Sequence, residues 1–232
     1  MRQFLKQETF LGDADCAEDG KSSAQVKAAE LHKKQVAINE CTNELAKITL
    51  HIESAYLLLD LEQSEKAHTL TRPLLDRCIE LKQWQLAAET CDVLFQADQK
   101  DAVKALMHGI WLGVTYPIAT DLSIALLQHF IDETPDRSDG AAVAAATACY
   151  LADVRSTPEE KESLVFFTHQ LLGRVARSHS QVEEPDIFDF WVEQLELNEP
   201  DKFLPRLAKS LDVVVDGDWW FDRDALRAAI QD

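Results

Sequence analysis

The sequence predicts an all-α protein of stacked antiparallel helices, arranged like a helical repeat, with a small β-hairpin near the C-terminus. From about residue 25 to residue 180, apolar residues recur at spacings of three, four and seven, the pattern of amphipathic helices. Only 7 glycines and 7 prolines occur in 232 residues, which is few for a β-rich chain with many tight turns. Because short amphipathic helices cannot bury their apolar faces alone, we expect them to stack on one another.

Three regions are predicted along the chain. Residues 1–22 form a flexible N-terminal segment and an acidic linker, residues 23–180 form the helical body, and residues 181–232 form a C-terminal helical subdomain that contains the hairpin. The first segment is mildly amphipathic and is expected either to fray or to dock onto the body. Its apolar residues are Phe4, Leu5, Phe10 and Leu11.

The body is expected to open near Ser23 with one long helix or two. Pro73 leaves two alternatives, because it either kinks a helix over residues 64–81 or lies in the first turn of a new helix that opens near Thr71. We prefer the second. The later helices of the body are predicted over 84–98, 100–114, about 120–132, 141–154 and 157–177.

The helix over 141–154 consists almost wholly of small residues, so neighbouring helices can approach it closely and we expect it to lie at the centre of the packing. Beyond the body, one helix is predicted near residues 187–197, a second from about Pro200 to Leu211, and a last one capped by Asp222.

The segment DVVVDGDWWF predicts the β-hairpin. Two apolar runs flank Asp216-Gly217, a pair that suits a type I′ turn. In that hairpin Trp219 and Trp220 lie on opposite faces, because successive side chains alternate along a strand. One ring would pack on the helices, and the other would either be covered by the last helix or remain exposed as an anchor for a partner.

The charge balance argues against two classes of ligand. The chain carries 41 acidic and 23 basic residues, a formal net charge of −18, and its only adjacent basic pair is Lys33-Lys34. Nucleic acids and anionic membranes are bound through dense basic patches, so we expect neither here. An acidic surface favours solubility and steers basic protein partners toward the molecule.

The cysteines and the N-terminus predict a cytoplasmic protein. Five scattered cysteines, with no CxxC spacing, are typical of reduced core thiols, and no stretch resembles a signal peptide or a membrane span. The cysteines are Cys16, Cys41, Cys78, Cys91 and Cys149.

Residues 84–112 resemble the tetratricopeptide helical-repeat family. Small, aromatic and apolar residues recur where that family places them in a second helix and in the first helix of the next repeat: Trp84, Ala87, Cys91, Leu94, Leu106 and Ile110. The glycine usual in the family is absent, and Cys91 replaces a larger residue. The resemblance implies a groove that binds a peptide or helix of another protein.

No catalytic signature, cofactor motif or complete metal-ligand set is found. Glu65 and His68 form an ExxH pair on one helix face, but helical di-iron sites use that motif twice together with two further glutamates. The other histidines are dispersed one to a helix. We therefore predict no catalytic residues, no metal and no cofactor.

The sequence favours a protein that binds another protein, as an adaptor, assembly factor or regulator. The predicted binding residues are Trp219 and Trp220, with Trp84 and Trp111 as groove-lining positions. The alternative is an enzyme or small-ligand binder with a site in a cleft between helices, carried by histidines and a glutamate: His51, His68, His108, His129 and Glu65.

Overall fold

The computed structural model describes residues 16–231, with side chains from residue 23 to residue 230. Within these residues the chain forms eleven α-helices and no β-strand, which confirms the all-α class. The helices are α1 (Cys16–Glu40), α2 (Glu44–Asp60), α3 (Ser64–Glu80), α4 (Trp84–Gln96), α5 (Ala102–Thr115), α6 (Thr120–Glu133), α7 (Asp139–Arg155), α8 (Pro158–Ser180), α9 (Pro185–Gln194), α10 (Pro200–Val215) and α11 (Arg223–Gln231). The predicted apolar N-terminal residues Phe4, Leu5, Phe10 and Leu11 lie outside the described residues.

Helices α1 to α8 form a stack in which each helix packs against the next. The connections between them are short, so neighbouring helices run antiparallel. Contacts also join α2 to α4, α4 to α6 and α6 to α8, while α10 returns to pack against α5 and α7. The body begins with two helices, α1 and α2, rather than one long helix. Asn43 is the last residue of the break between them, and its side chain accepts a hydrogen bond from the amide of Ala46 at the start of α2.

Two of the turns in the stack are built in the same way. Glu62 and Lys82 have positive φ values of 58° and 54°, the left-handed conformation that often ends a helix. The next residue in each turn donates its amide back to the helix, from Gln63 to the carbonyl of Leu58 and from Gln83 to the carbonyl of Cys78, both at 2.8 Å. These bonds satisfy carbonyls that the helix ends would leave unpaired.

Helix α7 has the central position that its small residues predict. Residues 141–148 are all buried, and the helix packs against α6, α8 and α10. Ser138 caps its N-terminus by accepting a hydrogen bond from the amide of Gly140.

The preferred prediction for Pro73 is wrong. Helix α3 runs without interruption from Ser64 to Glu80, with Pro73 inside it. The proline is exposed, so the carbonyl one turn before it, which loses its helical partner, faces the solvent side. A continuous buried stripe on the opposite face holds the helix in place: Ala67, Thr71, Leu75 and Cys78.

The predicted C-terminal β-hairpin is also wrong. Helix α10 continues to Val215, and Asp216 and Gly217 follow it with φ values of 53° and 78°. An αL helix cap and a type I′ turn both need positive φ values, so an Asp-Gly pair serves either one. The helical spacing of buried residues decides between them here: Phe203, Leu207, Leu211 and Val215 face the core.

Arg155 completes the C-terminal end of α5. Its guanidinium group donates hydrogen bonds to the carbonyls of Gly113, Val114 and Tyr116 at 2.6, 2.6 and 3.0 Å. These are carbonyls that the end of a helix leaves without an intrahelical partner. The last turn of α7 thus fixes the last turn of α5.

Among the described residues, no helix has the length and apolar character needed to cross a membrane.

We expect Gly109→Ala to destabilise the protein. A Cβ atom at position 109 would lie 3.0 Å from the Cβ of Cys91 in α4 and 3.2 Å from a methyl group of Leu126 in α6. The clash with this packed core should cost roughly 1–3 kcal/mol, against the roughly 1 kcal/mol that alanine gains over glycine within a helix, so the net loss should reach up to about 2 kcal/mol. Chemical denaturation of both proteins measures the difference.

Gly173→Ala in α8 is the matched control. A Cβ atom there would meet only the end of the flexible Arg177 side chain, at 3.6 Å. This variant should gain up to about 1 kcal/mol from helix propensity alone. Equal effects of the two substitutions would contradict the close approach of α4, α5 and α6.

Candidate functional site

The segment after α10, residues 218–223, folds back over α5 as a strap. His108 of α5 is its anchor point. The amide of Trp220 donates a hydrogen bond to Nε2 of His108 at 2.8 Å, and the ring of Trp220 stacks on the imidazole with centroids 4.3 Å apart. The rings of Trp219 and Phe221 also contact the imidazole, at 4.8 and 5.2 Å.

The hydrogen bonds of His108 define its tautomer. Nδ1 lies 2.7 Å from the carbonyl oxygen of Lys104, which can only accept, whereas the amide of Trp220 can only donate to Nε2. The imidazole is therefore neutral, with its proton on Nδ1. Burial of the ring lowers the pKa of His108 from 6.5 to about 4, because the charged form would lose its hydration.

The four predicted binding tryptophans lie along one line of aromatic contacts. Trp111 contacts Trp219 at 6.4 Å and Tyr116 at 6.0 Å, and Trp84 stacks on Tyr116 with centroids 3.9 Å apart. Trp111 is buried at 2% exposure, whereas the other three are partly exposed. That a partner contacts these three rings stays a prediction.

Two arginines cover the tryptophans of the strap. The guanidinium carbon of Arg72 lies 4.2 Å from the ring centre of Trp220, and that of Arg223 lies 3.8 Å from the ring centre of Trp219. Both are cation–π contacts, which are attractive because the face of an indole ring is electron-rich. The strap is thus bound from α3 as well as from α5.

The strap also positions the last turns of α10. Oδ1 of Asp212 accepts hydrogen bonds from the indole of Trp219 at 3.2 Å and from the guanidinium of Arg223 at 2.7 Å. On the other side, Lys104 of α5 forms an ion pair with Asp218 at 2.6 Å. The C-terminal end of α10 is therefore tied to α5 through the strap.

Beside the strap, a groove of about 570 Å³ lies between α5, α10 and the start of α7; it is called the valine groove below. Its apolar surface includes three exposed valines, Val103 at 41%, Val213 at 71% and Val214 at 37%. Met107 and Phe130 also line it. The sequence does not reveal this site, because the apolar run that contains Val213 and Val214 predicts a strand.

Opposite charges lie on the two walls of the valine groove. Glu133 lines it at the end of α6 and Lys209 lines it on α10, and neither forms an ion pair with a described residue. Asp139, which also lines the groove, accepts a hydrogen bond from Arg206 at 3.3 Å and contacts His179 at 3.1 Å. The groove thus has an apolar floor with an unpaired acid on one wall and an unpaired base on the other.

The histidines of the alternative enzyme hypothesis do not meet. His68 contacts Asp101 at 3.0 Å, His129 lies 3.7 Å from the buried Asp92, and His108 holds the strap. Among the described residues, no hydrogen bond or ring contact joins one of them to another. Nδ1 of His51 is buried without a hydrogen-bond partner.

In the part of the chain that the structure describes, no group of three His, Cys, Asp or Glu side chains is arranged to hold a metal ion. Cys78 and the half-buried Cys149 are poor nucleophiles, because burial raises the pKa of each thiol to about 11.

We expect the free energy of unfolding to fall by about 3 kcal/mol as the pH is lowered from 6.5 to 4, because the pKa of His108 is lower in the folded protein than in the unfolded chain. In this window the unfolded chain binds a proton at His108 and the folded protein does not, so acid favours unfolding. Denaturation at a series of pH values measures the slope.

His108→Gln is the control for this pH dependence, because its amide oxygen can accept from Trp220 but does not titrate. The variant should show a smaller loss of stability over the same pH range. The same slope in both proteins would contradict the assignment to His108.

Comparison with known proteins finds no match to this chain among protein families, curated proteins or solved structures.

Proposed function

We propose that this protein is an interaction protein whose valine groove binds an amphipathic helix of a partner protein. The observation that carries the proposal is the cluster of exposed valines that line one groove, Val103, Val213 and Val214. Exposed apolar side chains grouped in one concave site favour a binding role over that of hydrophobic residues scattered singly on a surface. A helix that lays its apolar face into a groove is a common mode of peptide recognition.

The size of the groove fits one face of a short helix. A volume of about 570 Å³ is large enough for several aliphatic side chains. Two turns of an amphipathic helix present about three to four such side chains on one face.

The charged residues that line the groove indicate which charges the partner helix carries beside its apolar face. We expect a basic residue of the partner to lie near Glu133 and an acidic residue to lie near Lys209. Such pairs contribute more to orientation and specificity than to affinity. The net charge of −18 favours a partner that is basic overall, because long-range attraction raises the rate of association.

In this proposal Trp219 and Trp220 act on the groove through α10. Trp219 holds Asp212, one residue before Val213, so loss of the strap would loosen the wall that carries Val213 and Val214. Direct contact of Trp219, Trp220 or Trp84 with the partner, and kinship of residues 84–112 with tetratricopeptide repeats, remain predictions. We also propose a cytoplasmic location, supported by the described cysteines, which are free thiols.

Site-specific photo-crosslinking tests the proposal. p-Benzoylphenylalanine is placed at position 213 in the groove and, as the control, at position 154, an exposed valine in the last turn of α7. In an extract of the native cell, position 213 should capture a discrete partner and position 154 should not. Sequencing of the crosslinked peptide should place the contacts three and four residues apart, on the apolar face of a helix.

A synthetic peptide of the mapped segment completes the test. Val213→Asp should weaken its binding to the purified protein at least tenfold, because the change buries an unpaired carboxylate against the helix, whereas Val154→Asp should leave binding unchanged. Equal crosslinking from both positions, or peptide binding insensitive to Val213→Asp, would overturn the proposal.

A further inference from the structure

The valine groove lies at one end of the helical stack. Its lining residues Val103 and Gly140 belong to the first turns of α5 and α7, and Glu133 is the last residue of α6. Because neighbouring helices of the stack run antiparallel, α1, α3, α5 and α7 all begin at this end. The chain therefore enters the helical body at the end where the groove lies.

Helix α1 projects beyond its neighbour at that end. Two ion pairs set its register against α2, Lys34 with Glu53 at 2.7 Å and Lys27 with Asp60, the last residue of α2, at 3.0 Å. The helical residues before Lys27, 16–26, therefore extend about 16 Å past the end of α2, at about 1.5 Å for each residue. Residues 1–15 precede them in the sequence.

The groove is within reach of the first residues of the chain. The packed pairs α1–α2, α2–α4 and α4–α5 separate α1 from α5 by about 30 Å at most, at up to about 10 Å between axes. With the projection of α1, the distance from Cys16 to the groove is about 34 Å. The peptide units from Leu5 to Cys16 span up to roughly 36 Å, and those from Phe10 only about 20 Å. Phe4 and Leu5 can thus enter the groove, whereas Phe10 and Leu11 fall short.

The sequence MRQFLKQ at the start of the chain is complementary to the groove. It places the apolar pair Phe4-Leu5 between Arg2 and Lys6 and contains no acidic residue, although the whole chain has a net charge of −18. A base in this segment can pair with Glu133, which lines the groove and forms no ion pair with a described residue. The segment thus combines the apolar and basic side chains that we expect of a partner.

We propose that residues 2–6 of this chain occupy the valine groove of the same molecule and compete with the partner helix for it. The inference rests on the proposed function, because competition has an effect only where the groove binds a partner. A tethered segment needs little affinity of its own, since a short tether holds it at an effective concentration on the order of 1 mM. Binding of the partner displaces the segment, so the chain regulates its own site.

Photo-crosslinking of the purified full-length protein tests this contact. p-Benzoylphenylalanine at position 213 should crosslink to residues 2–6, as located by mass spectrometry of the digested protein. The same residue at position 154, in the last turn of α7 at the opposite end of the stack, should not. A mixture of ¹⁵N-labelled and unlabelled protein shows which molecule supplies the segment. Crosslinks that join labelled to unlabelled peptides would overturn the proposal, because a second copy would then fill the groove.

Two double variants of the full chain test the reach of the segment. Phe4→Asp with Leu5→Asp should abolish the crosslink to residues 2–6 and raise capture of the partner from the cell extract at least about threefold, because the groove is then free in more of the molecules. Phe10→Asp with Leu11→Asp is the matched control, too near α1 to reach the groove, and should leave both results unchanged. Circular dichroism confirms that each variant is folded.

The outcomes separate this inference from the proposed function. Capture of a partner from position 213 without a crosslink to residues 2–6 would overturn the inference and leave the proposed function in place. A crosslink to residues 2–6 with no partner captured would support the contact and contradict the proposed function. Equal effects of the two double variants would overturn the inference, because occupation of the groove would then not depend on Phe4 and Leu5.

Discussion

The imidazole of His108 joins the C-terminal strap to the helical stack through two hydrogen bonds of opposite sense. Nδ1–H donates to the carbonyl of Lys104 within α5, and Nε2 accepts from the amide of Trp220. Only a neutral ring can do both, and burial of the ring keeps it neutral by lowering its pKa to about 4. The strap then carries Trp219 to Asp212 and so fixes the end of α10. The valine groove depends on this interaction, because α10 forms one of its walls.

Helix α5 is the element around which this arrangement is built. Arg155 ties its last carbonyls to α7, and Gly109 lets α4 and α6 approach its centre. Ten of the 14 residues of α5 are buried. Val103 and Met107 of this helix line the valine groove. A rigid, buried helix is a suitable support for binding surfaces, because it cannot shift without opening the core.

The proposed function uses the charges of the molecule at long range and at short range. The overall charge of −18 favours a basic protein partner at long range, while Glu133 and Lys209 would orient a helix at short range.

The sequence by itself determined the helical class, the helical cap at Asp222 and the packing role of the small residues in α7, because periodicity and capping are local properties of the chain. It did not determine the backbone conformation at Pro73 or at Asp216-Gly217, because each of these residue patterns suits two conformations. In both places the choice is made by a buried row of side chains that packs against distant helices. The valine groove was also beyond it. The walls of the groove come from helices far apart in the chain, and only tertiary packing shows which apolar residues remain uncovered.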